Sequence, residues 1–167
     1  MQSNSKTVYT PFIKSADTTQ KVMADVMLAL LPCLVMSYFA FGYVPLLLTL
    51  VAVGSAIGAE LLFSLIFFRR ISSITDGSAI VTGILLAFTV GAFTPLYVVA
   101  FGGATAVIFG KLLFGGLGRN IFNPALVGRE FMTIFFPAVM TSGAIWYNKA
   151  SVNLTEINLF DSEFISQ

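Results

Sequence analysis

The 167-residue sequence has no histidine, a single cysteine and only 10% charged residues. Those absences exclude several chemistries. Without His and with Cys33 alone, the chain cannot by itself form a zinc site, hold an iron–sulfur cluster, ligate haem through His or build a Ser-His or Cys-His nucleophile pair. Any redox chemistry at this chain uses a bound organic cofactor or a partner's metal. Cys33 follows Pro32 in an apolar run and reads as packing. The net charge of +1 and the absence of any block of like charge give no case for nucleic acid. Residues 1–20 are polar, with Lys6, Lys14 and Asp17 and no apolar core, so no cleavable signal is expected and the first apolar helix directs insertion.

What the chain does have is apolar length. It is 57% hydrophobic with a mean hydropathy of +0.90, against about a quarter charged residues in ordinary soluble domains. An all-α integral membrane protein is expected, with a polar arm over 1–20, a membrane domain over 21–148 and a polar tail over 149–167. Five helices are expected, at about 22–42, 44–68, 75–92, 95–113 and 125–147. The first has Asp25 as its only charge and Pro32 as a kink, with Asp17 and Gln20 as its start. Its 21 residues from Val22 to Gly42 suffice for a core of about 30 Å at about 1.5 Å per residue. In the second, Gly54 and Gly58 offer a smooth face for close packing. Its one acid, Glu60, costs a few kcal/mol in a membrane, which fits either an ion or proton relay or a hydrogen-bonded acid inside the bundle.

The 32 residues from Ala79 to Gly110 carry no charge, and Phe93-Thr94-Pro95 is the natural break within them. Two short passes are expected there, the first capped by Thr75 or Asp76; interrupted apolar segments of this kind point to sites in transporter-like folds. The fifth helix contains Pro137 and ends in the interfacial pair Trp146-Tyr147. With five passes, Lys6, Lys14, Lys21, Arg69, Arg70, Lys111, Arg119 and Arg129 share one side, and the acidic tail with Glu156, Asp161 and Glu163 lies on the other. The positive-inside rule then puts the N-terminus in the cytoplasm, with Lys149 as the exception.

The run Gly115-Gly116-Leu117-Gly118-Arg119-Asn120-Ile121-Phe122-Asn123-Pro124 bends backbone within this apolar chain. Such backbone survives in a membrane protein only where protein or a water-filled cavity covers it. Asn123 can cap a helix beginning at Pro124, aiming its N-terminus at whatever the loop faces. Read alone, the run is equally a glycine-rich turn between two helices. Gly110-Lys111 is no phosphate-binding P-loop, having neither the earlier glycine nor a following Ser or Thr.

Phe114 to Arg129, together with Thr75-Asp76-Gly77-Ser78-Ala79-Ile80-Val81-Thr82-Gly83, resembles one family of membrane proteins. That family comprises the B-type membrane subunit of the sodium-translocating NADH:quinone reductase and the D-type membrane subunit of the Rnf electron-transport complex. The looser resemblance runs from Thr10-Pro11 to Thr141-Ser142. It implies one five-helix half of an inverted-repeat, channel-like transporter fold, with the remainder continued elsewhere. It also implies membership of a membrane-bound, flavin-dependent complex coupling NADH-linked electron transfer, with quinone or ferredoxin as redox partner, to Na⁺ or H⁺ translocation. The alternative is a non-redox channel or small-solute transporter on the same scaffold. A bacterial inner-membrane location, the lipid bilayer and the other subunits of the complex as partners follow from the resemblance.

By the same resemblance, Asp76, Gly77, Ser78, Gly115, Gly116, Gly118, Asn120, Asn123 and Pro124 help shape a flavin or quinone region, or serve as structure there, and Glu60 is the ion-path residue. The family carries flavin mononucleotide (FMN) on a threonine of a Ser-Gly-Ala-Thr motif, with riboflavin or quinone nearby. Gly102-Gly103-Ala104-Thr105 imitates that motif inside an uncharged pass, and Ser142-Gly143-Ala144-Ile145 ends in a residue with no oxygen to esterify. The attachment threonine is therefore expected outside this chain.

Overall fold

The computed structural model describes residues 18–68 and 76–142. The arm with Asp17, the connection holding Arg69, Arg70 and Thr75, and everything from Gly143 onward, including Trp146 and Tyr147, lie outside the described residues. Among the described residues every regular element is helical: α1 (Thr19–Phe41), α2 (Val44–Phe63), α3 (Ser78–Thr89), α4 (Leu96–Gly110), α5 (Pro124–Phe135) and the single turn α6 (Pro137–Met140). The chain is an all-α, multi-pass membrane protein.

Sequence chemistry accounts for the helix ends. Thr18 caps α1, its hydroxyl accepting from the Lys21 amide at 3.3 Å. The helix then runs unbroken through Pro32 to Phe41, and the left-handed Gly42 ends it. A π-helical turn, Ser64–Phe68, extends α2. Helices α1, α2 with that turn, and α4 with the 3₁₀ turn Leu112–Phe114 are long and apolar enough to cross a membrane. Among the described residues the other three, α3, α5 and the single turn α6, are not. With 12 residues each, α3 and α5 reach about 18 Å at about 1.5 Å per residue, well short of a bilayer core.

The segment between α3 and α4 is not helical but is covered by protein. Val90 and Thr94 are buried, and Thr94 donates both its amide and its hydroxyl to the Gly91 carbonyl. Pro95 then starts α4. The helix expected over 125–147 is likewise interrupted: Phe136, with φ −127° and ψ 54°, separates α5 from α6. Pro137 lacks the amide that would continue the ladder, and the residue before a proline avoids helical geometry.

The core lies where α2 packs against α3 and α4, and α4 against α5. Small residues make those contacts close. A Cβ at Gly103 of α4 would meet the Ser55 hydroxyl and, at 2.6 Å, the Ala52 carbonyl of α2; one at Gly128 of α5 would lie 2.5 Å from the Gly102 carbonyl of α4. The expected packing face at Gly54 and Gly58 is not used among the described residues, since a Cβ at either meets nothing within 4 Å. Close approach falls on Gly83, Gly102, Gly103, Gly110 and Gly128 because these lie on the seams between helices. α1 is peripheral, with no buried residue and with Leu28, Met36 and Phe39 exposed.

Candidate functional site

Three helix ends meet at one buried charge cluster. Glu60 lies one turn before the end of α2, Asp76 and Ser78 lie at the start of α3, and Lys111 follows the last residue of α4. Gly77 N-caps α3 with φ +73°, a left-handed conformation that glycine adopts at little cost. Its turn carries the Asp76 carboxylate back over the helix start, where Oδ1 accepts from the Ser78 amide at 2.9 Å and from the Ser78 hydroxyl at 2.8 Å. One turn beyond Glu60 the π-helical turn widens α2, a local irregularity often found at functional sites.

Lys111 closes the cluster. Its Nζ donates to Glu60 Oε1 at 2.6 Å and to Ser78 Oγ at 2.5 Å, and lies 3.4 and 3.5 Å from the two Asp76 carboxylate oxygens. Glu60 is 0% and Lys111 1% exposed, whereas the Asp76 side chain keeps 18% of its surface. Burying either ion alone would cost several kcal/mol, and charge-assisted bonds of this length offset that cost only when the partners are held in place. The helix ends hold them. The acid is thus level with the start of α3 and the end of α4, rather than isolated at mid-helix.

The glycine-rich loop hangs from the same place. The Gly116 amide donates to the Lys111 carbonyl at 3.1 Å and the Gly115 amide to the Leu112 carbonyl at 3.0 Å, with Gly115, Gly116 and Gly118 all at positive φ. Asn120 Nδ2 donates to the Phe122 carbonyl at 3.2 Å, and Asn123 Oδ1 accepts from the Ala125 amide at 3.0 Å, capping α5. Pro124 packs on Gly110 so closely that a Cβ there would be 2.6 Å from Pro124 Cα. Of the residues expected to form a site, Asp76 and Ser78 join Glu60 through Lys111, and Pro124 abuts the adjoining residue. Gly115, Gly116, Gly118, Asn120 and Asn123 shape a loop that is exposed for the most part.

Lys111 is the member of the cluster that sequence reasoning missed, having served there only as a flanking charge for sidedness. The signal was present. It is the first charge after a 32-residue uncharged stretch, and Glu60 is the only acid of a neighbouring apolar helix. Two lone opposite charges at the same ends of two adjacent helices need each other. Thr105, by contrast, does not fit a flavin phosphate. It is buried within α4, and its hydroxyl donates to the carbonyls of Phe101 and Gly102 at 2.9 and 3.1 Å. Its neighbours Gly102 and Gly103 serve helix packing.

A family model described as the NQR2, RnfD, RnfE family matches residues 6–165. The D-type subunit of the ion-translocating oxidoreductase complex of Yersinia enterocolitica is 33% identical over 155 residues, covering 91% of this chain and 43% of that protein. The D-type subunit of the Na⁺-translocating ferredoxin:NAD⁺ oxidoreductase complex of Acetobacterium woodii is 36% identical over 134 residues, 80% of this chain and 42% of that protein. Its counterpart in the ion-translocating oxidoreductase complex of Vibrio cholerae is 36% identical over 153 residues, 91% and 43% respectively. The chain spans somewhat under half the length of these relatives.

Proposed function

The chain belongs to the NQR2, RnfD, RnfE family, and on that premise we propose that it serves in a membrane complex that couples NADH-linked electron transfer to Na⁺ or H⁺ movement. Ferredoxin or quinone is the redox partner, and the other subunits of the complex are its protein partners. The observation that carries this reading is the match along nearly the whole chain to subunits named for ion-translocating oxidoreductase complexes. The buried cluster adds to it, because ionisable residues inside a membrane bundle are costly and concentrate on ion pathways.

Within this reading Glu60 is the ion-path residue. Asp76, Gly77 and Ser78 hold the inner end of α3 against it, and Gly115, Gly116, Gly118, Asn120, Asn123 and Pro124 form the adjoining loop that faces the redox region. When bound, FMN supplies the electron-carrying chemistry of the complex. The buried, back-bonded Thr105 supports an attachment threonine outside this chain. The protein sits in a bacterial inner membrane with its N-terminus and central loop in the cytoplasm.

The test uses inverted vesicles from the native bacterium with and without this chain, measuring electron transfer between reduced ferredoxin and NAD⁺ together with ²²Na⁺ uptake. Loss of both without the chain, and recovery on complementation, is the expected result. Undiminished coupled transport in its absence would refute the assignment. Solute flux through the protein alone in liposomes would favour the channel reading instead.

A further inference from the structure

The ion-path reading gives Glu60 a task but leaves Lys111 without one, although Lys111 is the cation that occupies the acid. The cluster is graded in depth. Asp76 lies at its open edge with 18% of its side chain exposed, Lys111 Nζ lies next, and Glu60 lies at the closed end with 0%. A cation arriving along the Asp76 side meets the Lys111 ammonium before it can reach Glu60 Oε1. An ammonium and an alkali cation carry the same charge and seek the same hard oxygen donors. Held against the same carboxylate, whose Oε1 the ammonium occupies at 2.6 Å, the two cations repel each other.

We propose that Lys111 is the internal counter-ion that Glu60 exchanges for the translocated cation, so that Lys111 sets how readily a sodium-sized ion reaches Glu60. This rests on the reading of Glu60 as an ion-path residue. Exchange keeps the buried carboxylate compensated throughout, avoiding the several kcal/mol of a bare charge in the bundle. Lysine suits the task better than arginine, because it is a point charge on a flexible four-carbon stem rather than a rigid fork. Its backbone suits it too: Lys111 stands just past the last residue of α4, with φ −124° and ψ −58°, so its stem is anchored where helical geometry has ended. Ser78 Oγ is the second ligand that retains the ammonium, and Asp76 in turn accepts from Ser78. Lys111 is thus a positioning residue for the ion path.

The test is the melting temperature of the detergent-extracted complex in NaCl against choline chloride at equal ionic strength, for the parent, Lys111→Met and Ser78→Ala. Removing the ammonium takes from Glu60 the cation held 2.6 Å from Oε1 and opens that position to sodium, so Lys111→Met is expected to melt higher in NaCl than in choline chloride, by a margin the parent lacks. A clamp that only ties the helices together would lower the melting temperature equally in both salts, and that result overturns the proposal. Should Lys111→Met fail to assemble, Ser78→Ala decides: it keeps the ion pair but loosens the ammonium, and must show a smaller shift of the same sign. No sodium-specific shift in Ser78→Ala then overturns the proposal as well. In transport assays of an assembled Lys111→Met complex, the half-saturating Na⁺ concentration is expected to fall about tenfold, equivalent to about 1.4 kcal/mol of relieved competition. Absence of coupled transport in the parent counts against the proposed function, whereas the salt-dependent melting reads the exchange without turnover.

Discussion

Replacing Gly83 by alanine tests the packing that brings the cluster together. Gly83 is on α3, and a Cβ there would lie 2.6 Å from Val53 Cα, 2.8 Å from Val53 N and 2.9 Å from Val53 Cγ2 on α2. Ordinary contact begins near 3.4 Å, so the two helices must separate by about 0.8 Å at that point. Two of the three atoms met are backbone, so no side-chain rotation relieves the overlap. Overpacking of this kind costs about 1–3 kcal/mol, and the unyielding neighbours place it near the top of that range. The better helix propensity of alanine returns up to about 1 kcal/mol, leaving a net loss of about 2 kcal/mol. Gly54→Ala is the matched control on the neighbouring residue of α2. A Cβ there meets nothing within 4 Å, so the substitution should gain about 0.5–1 kcal/mol. Equilibrium unfolding of the detergent-extracted complex should separate the two variants by about 2–3 kcal/mol. Equal stabilities, or a loss at Gly54→Ala matching that at Gly83→Ala, would refute the reasoning and place a helix of another part of the complex against Gly54.

Three further outcomes follow from the site. Glu60→Gln keeps an oxygen for Lys111, whose charge the Asp76 carboxylate at 3.4 Å still balances, and should leave the complex assembled while slowing or uncoupling ion movement; normal ²²Na⁺ uptake by that variant would remove Glu60 from the ion path. Asn123→Ala deletes the side-chain cap of α5 and should cost about 1 kcal/mol in the unfolding assay, an unchanged midpoint showing that the 3.0 Å bond to the Ala125 amide contributes nothing. Thr105→Val removes a hydroxyl already bonded within α4, so a fluorescent flavin band from the complete complex on a denaturing gel should persist; its disappearance would put the attachment in α4 after all.

Much of the site's local chemistry was legible from neighbouring residues, because caps and turns are settled within a few positions. Asn123 followed by Pro124 announced the start of α5 and Pro95 the start of α4, whereas α3, expected to be capped by Thr75 or Asp76, has Gly77 at its N-cap, with Asp76 bonding the Ser78 amide from just before it. Glu60 stood out as an acid in an apolar helix. Its ion-pair partner Lys111 did not, because it lies 51 residues away and no local pattern connects the two. Gly54 and Gly58 misled for the same reason: spacing marks a face as smooth without saying which neighbour meets it.

The sequence by itself determined that this chain is helical and apolar enough for a bilayer, that histidine- and cysteine-based chemistry is closed to it, and where most of its helices begin. Composition and short-range hydrogen bonding decide those matters residue by residue. The tertiary structure alone decided that the helical parts α3 and α5 are only 12 residues each, that among the described residues Gly83, Gly103 and Gly128 rather than Gly54 and Gly58 carry the close contacts, and that Lys111 reaches Glu60, Asp76 and Ser78. Those outcomes depend on which helix faces meet and at what height their ends align, and only the packing of the whole bundle sets both.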